Sequence, residues 1–534
     1  MTAPGTPWTP ALLHDILDRA AELWPDRPAL SQGELTLDYR EFAAASRRLA
    51  ELLRTAGVRR GDRVVAAAPS GPALAVLVFA VSRLGAAYTL LHEQVHGAPL
   101  LHVLDDCEPR LLITEDPADR EAADGRSIAA LPLSALVGAA FPPAGADAPG
   151  AEPPGAAPGE RAAGAGPGAP ARPAGPADGA SGVLAVDPVS LIYTSGTTAL
   201  PKAVVSTHQQ VLFAARAIQS VLGYRADDVV YCPLPLSFDY GLYQVHLSVL
   251  SGAHLWLGLP SEAGPMLLRR LAATGATVLP GVPSASEGLA WLLRRSANRL
   301  PALRLLTNTG AALSAETIAG LRAALPDLRV QVMYGLTECK RATIMPPDGD
   351  LARPGSCGLP LPGTQVLAVD DDGAPVPPGE IGQLVVRGPH VMAGYWRRPE
   401  LNAERFPRRD GLFPELWTGD YGWLDEDGYV YFSGRRDDLY KENGFRLSAT
   451  EVEAAAHRVP GVVSAAVLPP EGRRPSVLVV VGRVEAAEAL ELMREQIEVY
   501  KIPRRCVVLD ALPLSANGKV DRRRLAARLA EIVV

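Results

Sequence analysis

No uninterrupted apolar run in the 534-residue sequence approaches the ~18 residues needed to span a bilayer, so no membrane-crossing helix is expected. Cysteine is scarce. The five present, Cys107, Cys232, Cys339, Cys357 and Cys506, are scattered, odd in number and free of Cys-x-x-Cys spacing, which argues against a disulfide framework or a zinc-binding thiol cluster and for reduced thiols. Clustered basic charge is missing as well. At a net charge of −7 no groove that neutralises a nucleic-acid backbone is expected, and Asp521-Arg522-Arg523-Arg524 reads as a solvated helix face. The start, Met1-Thr2-Ala3-Pro4, lacks the basic residues and apolar stretch of a signal peptide, so a cytoplasmic location is expected. No internal period marks a repeat protein.

What is there suits a folded chain with a sizeable core: 48% hydrophobic and 21% charged residues are ordinary for a soluble domain. Between about residues 141 and 182 Ala, Pro and Gly dominate, too little to pack, and the segment is expected to be a disordered insertion. Elsewhere helical periodicity at residues 11–24 and Tyr39 to Leu53 alternates with apolar runs such as Val64 to Ala68, Leu111-Leu112-Ile113-Thr114, Val229-Val230-Tyr231, Thr277-Val278-Leu279 and Leu303 to Leu306. That rhythm predicts an α/β fold with largely parallel sheets. From about residue 360 to 436, short strands bounded by Gly, Pro and Asp predict a small β-rich subdomain, and residues 437–534 a smaller strand-and-helix domain.

Residues 193 to 202, Tyr-Thr-Ser-Gly-Thr-Thr-Ala-Leu-Pro-Lys, follow the apolar Val189-Ser190-Leu191-Ile192, the pattern of a buried strand feeding a phosphate-binding loop. Thr194, Ser195, Thr197 and Thr198 supply hydroxyls, Gly196 an open backbone and Lys202 a positive charge, a donor set matched to a polyphosphate. The order of hydroxyls and lysine is not that of a Walker loop. Alone, such a loop is as often a simple turn.

It is not alone. Tyr334-Gly335-Leu336-Thr337-Glu338, Trp417-Thr418-Gly419-Asp420, Ser433-Gly434-Arg435-Arg436-Asp437-Asp438, Lys441-Glu442-Asn443-Gly444 and Ser515-Ala516-Asn517-Gly518-Lys519 follow in that order. Together they make nearly the whole chain resemble the adenylate-forming superfamily of acyl-CoA synthetases, nonribosomal peptide adenylation domains and luciferases. The resemblance implies an N-terminal core over residues 1–436, with two α/β subdomains and a β-barrel-like one, and a mobile α+β domain over 437–534. It also implies ATP-dependent conversion of a carboxylic acid to an acyl-adenylate with release of pyrophosphate, then acyl transfer to a nucleophile. By resemblance, Thr194, Ser195, Gly196, Thr197, Thr198 and Lys202 hold the β- and γ-phosphates, Thr337 touches the α-phosphate and Glu338 ligates Mg²⁺. Tyr334 stacks on adenine beside Gly310, Ala311 and Ala312, Asp420 accepts from the ribose with Arg435 assisting, and Lys519 meets the reacting oxygens. Asp437 matches the hinge, and Lys441 and Gly444 serve the second half-reaction. The family's phosphate loop carries glycines where this chain has Ala199 and Ala203, so a stiffer loop is expected and an inactive nucleotide-binding paralogue stays open.

Substrate choice is expected from Phe238, Asp239, Tyr240, Tyr243, Thr309 and Met333. In amino-acid-activating relatives the aspartate at the position of Asp239 binds the substrate ammonium, and a buried carboxylate needs such a partner. The alternative is an aspartate satisfied by neighbouring backbone or tyrosine hydroxyls. Lys340 and Arg341 suit a second carboxylate and so an aspartate-like or β-amino acid, unless they face solvent or phosphate. The expected acceptor is the phosphopantetheine thiol of a separate carrier protein. Coenzyme A, as in an acyl- or aryl-CoA ligase, or an amine is the alternative.

Overall fold

The computed structural model describes residues 10–142, 182–194, 201–296, 300, 302–409, 413–435, 439–442, 445–471, 474–497, 499–513 and 520–532. The Ala/Pro/Gly-rich insertion therefore lies almost wholly outside the described residues. The chain divides into two compact units, one of residues 1–349, 361–364 and 388–406, the other of 350–360, 365–387 and 407–534.

The first unit is built on two mostly parallel sheets. In one, strands Arg329–Tyr334, Leu305–Asn308, Val278–Gly281, Val229–Cys232, His254–Leu257 and Pro28–Gln32 lie side by side in parallel. Antiparallel neighbours, Thr343–Ile344 and Leu35–Asp38, sit at the two flanks. The other carries Pro188–Thr194, Ala87–Leu91, Arg63–Ala67, Leu111–Thr114 and Ala129–Leu131 in parallel, with Lys202–Thr207 and Gly394–Tyr395 added antiparallel. Both faces of such sheets must be covered, and the intervening helices do so. Tyr39–Thr55 starts at Asp38, whose carboxylate accepts from the Glu41 amide at 2.7 Å while Glu41 returns the bond. His208–Leu222 starts with the same reciprocal pair, Thr207 and Gln210, and stops at Gly223, φ +61°.

Helix Asp239–Ser251 is different, because almost every residue in it is buried, polar ones included. It fits so close to the preceding loop that a Cβ on Gly241 would stand 2.3 Å from the Pro235 carbonyl oxygen. Because the strands of the first sheet are parallel, the segments following Cys232, Gly281, Asn308 and Tyr334 leave it at one edge, the carboxyl edge where open α/β sheets place their ligands.

The second unit holds an antiparallel sheet of Gln365–Val369, Gly382–Arg387, Leu416–Leu424 and Val430–Arg435, the β-rich piece expected there. Beyond it come the hairpin Leu439–Glu442 and Phe445–Ser448 and a sheet of Val462–Leu468, Val477–Gly482 and Arg505–Leu509, accompanied by helices Ala449–His457, Ala486–Leu492 and Arg522–Ile532. Among the described residues no helix is long and apolar enough to cross a membrane.

Candidate active site

Strand Pro188–Thr194 delivers Thr194 opposite Lys202 at the mouth of an antiparallel pair. Ser195, Gly196, Thr197 and Thr198 between them lie outside the described residues. Ala203 sits in regular register with Tyr193, and its carbonyl accepts from the Trp396 amide at 2.9 Å. Nothing about that position requires the freedom of glycine. The Lys202 ammonium lies 4.1 Å from the centroid of the Tyr395 ring, and burial lowers its pKa against the opposing pull of the Glu338 carboxylate. Tyr395 donates its hydroxyl to Glu338 at 2.7 Å, and the Glu338 carbonyl accepts from the Met392 amide at 2.8 Å. Lys202, Glu338 and Tyr395 thus form one charged cluster, with Glu338 fixed at side chain and backbone. Sequence reasoning named the first two and missed Tyr395, whose only signal was an aromatic directly after Gly394.

Tyr334 ends strand Arg329–Tyr334, buried and in register with Thr343. Gly310, with φ +93°, turns the chain after Leu305–Asn308, and Asn308 Nδ2 holds the Ala311 carbonyl at 3.0 Å. Gly310, Ala311 and Ala312 are exposed and Thr337 half-buried, positions open to a ligand. In the second unit Asp420 is buried directly across the ladder from Arg435, and the Thr418 hydroxyl accepts from the Asp420 amide at 3.0 Å. Nothing is described of the Arg435 and Lys441 side chains, and Asp437, Gly444 and Lys519 lie outside the described residues.

After Glu338 the chain makes a tight turn. Cys339 N–H donates to Leu336, Arg341 N–H to Cys339 at 2.7 Å and Ala342 N–H to Tyr334 at 2.9 Å. Lys340 takes φ +63°, a conformation uncommon outside glycine. A Cβ at Gly335 would stand 2.4 Å from the Lys340 carbonyl oxygen, so only glycine permits this turn. Its effect is to drive two cations inward: Lys340 is 1% and Arg341 4% exposed. They do not face solvent. Arg341 Nη1 lies 3.7 Å from Asp239 Oδ2, and its guanidinium sits 4.7 Å from the Tyr240 ring centroid. The Tyr240 hydroxyl is committed to Thr307, through Oγ1 at 2.6 Å and the carbonyl at 2.9 Å, so this tyrosine is a platform for Arg341.

Asp239 Oδ2, Tyr243 Oη, Lys340 Nζ and Arg341 Nε are all buried without a hydrogen-bond partner. Burial pulls the Lys340 ammonium below its ordinary value, opposed by Asp239 and Glu338, and pushes the Tyr243 phenol upward. Asp239 Oδ2 thus faces the Arg341 guanidinium and accepts no hydrogen bond from a tyrosine hydroxyl. Thr309 and Met333 are buried and Phe238 is the exposed member of the set.

The chain belongs to the AMP-binding enzyme family: residues 17–396 match the AMP-binding enzyme domain and residues 451–519 the AMP-binding enzyme C-terminal domain. It is accordingly an AMP-forming acid ligase. Feruloyl-CoA synthase of an Amycolatopsis species is 31% identical over 96% of this chain and 97% of its own length. The L-proline--[L-prolyl-carrier protein] ligase of Streptomyces coelicolor is 30% identical over 97% of this chain and 96% of its own. Among solved structures, VinN in complex with L-aspartate is 38% identical, with a TM-score of 0.66 over 79% of this chain and 98% of that one. O-succinylbenzoate coenzyme A synthetase of Bacillus subtilis, in complex with ATP and magnesium ion, is 25% identical, with a TM-score of 0.77 over 96% and 99%.

Proposed function

We propose that this ligase adenylates an amino acid bearing a second carboxylate, an aspartate-like or β-amino acid, and passes the acyl group to the phosphopantetheine thiol of a separate carrier protein. The observation that carries the reading is the buried Asp239, 3.7 Å from Arg341 and interacting electrostatically with a Lys340 ammonium that has no hydrogen-bond partner. A substrate ammonium takes Asp239, and a substrate carboxylate takes the guanidinium fork with the lysine beside it. The acid is already ionised at neutral pH, so its attack on the α-phosphate needs clamped charge more than a base. In this reading Thr194 to Thr198 and Lys202 hold the outer phosphates, Thr337 the α-phosphate, Tyr334 and residues 310–312 the adenine, and Asp420 with Arg435 the ribose. Lys519 meets the reacting oxygens, and a domain beginning at residue 437 and hinged at Asp437 exchanges Lys519 for Lys441 and Gly444 between half-reactions.

The buried, anchored oxygen donor Glu338 fits Mg²⁺, a hard cation that prefers carboxylate and phosphate oxygens; bound there it offsets phosphate charge. That ATP and magnesium accompany a full-length structural relative supports both assignments. The relatives divide over the acceptor, one named for a carrier protein and another for coenzyme A, so transfer to coenzyme A is the second reading.

The test is ATP–pyrophosphate exchange against α-amino, β-amino, dicarboxylic, aryl and fatty acids. Exchange confined to acids with an amino group, strongest with a second carboxylate and reduced at least a hundredfold in Asp239→Ala, is the expected result. Exchange with acids lacking an amine would transfer the assignment to an acyl- or aryl-CoA ligase.

A further inference from the structure

On helix Asp239–Ser251 the residues Asp239, Tyr243 and His246 stand four and three positions apart, the spacing that aligns side chains on one helical face. Asp239 and Tyr243 belong to the pocket described above. His246 continues their line one turn further and is completely buried, and neither of its ring nitrogens has a hydrogen-bond partner. Its ring meets Tyr243 edge-on at 5.2 Å between centroids. The Lys340 ammonium lies 5.8 Å from the centroid of the same Tyr243 ring, and its charge, added to burial, pushes His246 down to about 3. The imidazole is therefore neutral at physiological pH and offers a lone pair. Lys340 offers three N–H groups, and its ammonium has no hydrogen-bond partner. Two buried and complementary groups thus lie beside one tyrosine ring.

We propose that His246 is a positioning residue for substrate selection, its ring nitrogen accepting from the Lys340 ammonium and holding that cation against a second carboxylate on the amino acid. The inference rests on the reading of an acidic amino acid as substrate. A rigid acceptor behind the lysine confines a long side chain that would otherwise sample many rotamers. It thereby raises discrimination between a carboxylate and its uncharged amide, which differ little in size.

The test compares kcat/KM in ATP–pyrophosphate exchange for L-aspartate and L-asparagine in the wild-type full-length chain, in His246→Phe and in His246→Gln. Phenylalanine keeps the ring and removes the acceptor; glutamine keeps an acceptor and removes the ring. The aspartate-to-asparagine ratio is expected to fall about tenfold in His246→Phe, chiefly through KM for aspartate, and to recover in His246→Gln. A ratio unchanged in His246→Phe, or glutamine performing no better than phenylalanine, overturns the proposal. A wild-type enzyme that does not prefer aspartate instead overturns the acidic-substrate reading on which it stands, so the two failures are distinct. Should His246→Phe lose the native melting transition, His246→Gln against His246→Ala carries the same comparison.

Discussion

Tyr395 does two jobs with two parts of one side chain. Its ring faces the Lys202 ammonium at 4.1 Å and its hydroxyl anchors the Glu338 carboxylate at 2.7 Å. Removing the hydroxyl alone separates them. In Tyr395→Phe the cation–π contact stays, while Glu338 loses a hydrogen bond to a charged group, worth about 1.5–3 kcal/mol. If Glu338 is the magnesium ligand, the variant needs a higher Mg²⁺ concentration for half-maximal exchange and its maximal rate falls roughly tenfold, with melting close to wild type. Titrating pyrophosphate exchange with Mg²⁺ reads this directly; an unaltered Mg²⁺ dependence would remove Glu338 from the metal. The same scale shows why some of the pocket was legible in the sequence and some was not. Asp239 stands out by its match to amino-acid-activating relatives, Lys340 and Arg341 as charges beside an apolar pocket, and all three lie in the interior, Asp239 3.7 Å from Arg341. Tyr395, from another segment, was invisible because its partners lie far from it along the chain.

Strands and helices carried the legibility further. The apolar runs located strands Arg63–Ala67, Leu111–Thr114, Pro188–Thr194, Val229–Cys232, Val278–Gly281 and Leu305–Asn308 to within a few residues, because parallel strands buried on both faces read as continuous apolar runs, but passed over Pro28–Gln32, Ala87–Leu91, Ala129–Leu131 and His254–Leu257. Helix Asp239–Ser251 escaped that reading. It is buried on all sides and so lacks the polar stripe that marks a surface helix, yet the 239, 243 and 246 spacing was there to be read. Of the two alanines weighed in the phosphate loop, Ala199 lies outside the described residues and Ala203 belongs to strand Lys202–Thr207. Ala203 lies in extended, paired backbone opposite Tyr193 and is 1% exposed, so its methyl group fills space that a glycine would leave empty. Ala203→Gly is therefore expected to lower stability by about 0.5–1 kcal/mol, the entropic cost of glycine in a strand, and to leave KM for ATP within about twofold. Thermal melting and an ATP titration of exchange check both halves. A several-fold gain in ATP affinity would mean that the alanine does hold the loop away from phosphate.

Over the whole molecule, the first unit carries buried histidines enough to set its response to acid. Burial pushes His208 and His390 down to about 4 and His246 to about 3. Lys340 adds to the shift at His246. At His208, His14 adds to it, while Asp187 and Asp15 oppose it. In each case the folded state favours the neutral ring, and the unfolded chain, with an ordinary value near 6.5, binds the proton more readily. The stabilisation is therefore fully present above about pH 6.5 and is lost as the pH falls from there toward 4, by about 1.4 kcal/mol per unit for each ring. The depressed carboxylates Asp18 and Asp228 act in the same direction only at lower pH, below the ordinary carboxylate range. His96, raised by Asp119, acts oppositely, but it is exposed and screened by solvent. Melting temperature should thus be flat above pH 7 and fall steeply between pH 6.5 and 4.5. His208 offers the cleanest dissection, because its Nδ1 accepts from the Leu13 amide at 3.0 Å and thereby ties the first helix to the core. His208→Asn can retain an acceptor for that amide without titrating in this range. Its melting curve is expected to lose part of the wild-type pH slope, the rest coming from His246 and His390 and from His14 and His254, which burial also lowers, while remaining within a few degrees of wild type at pH 7.5. An undiminished slope would assign the acid sensitivity to groups other than this buried imidazole.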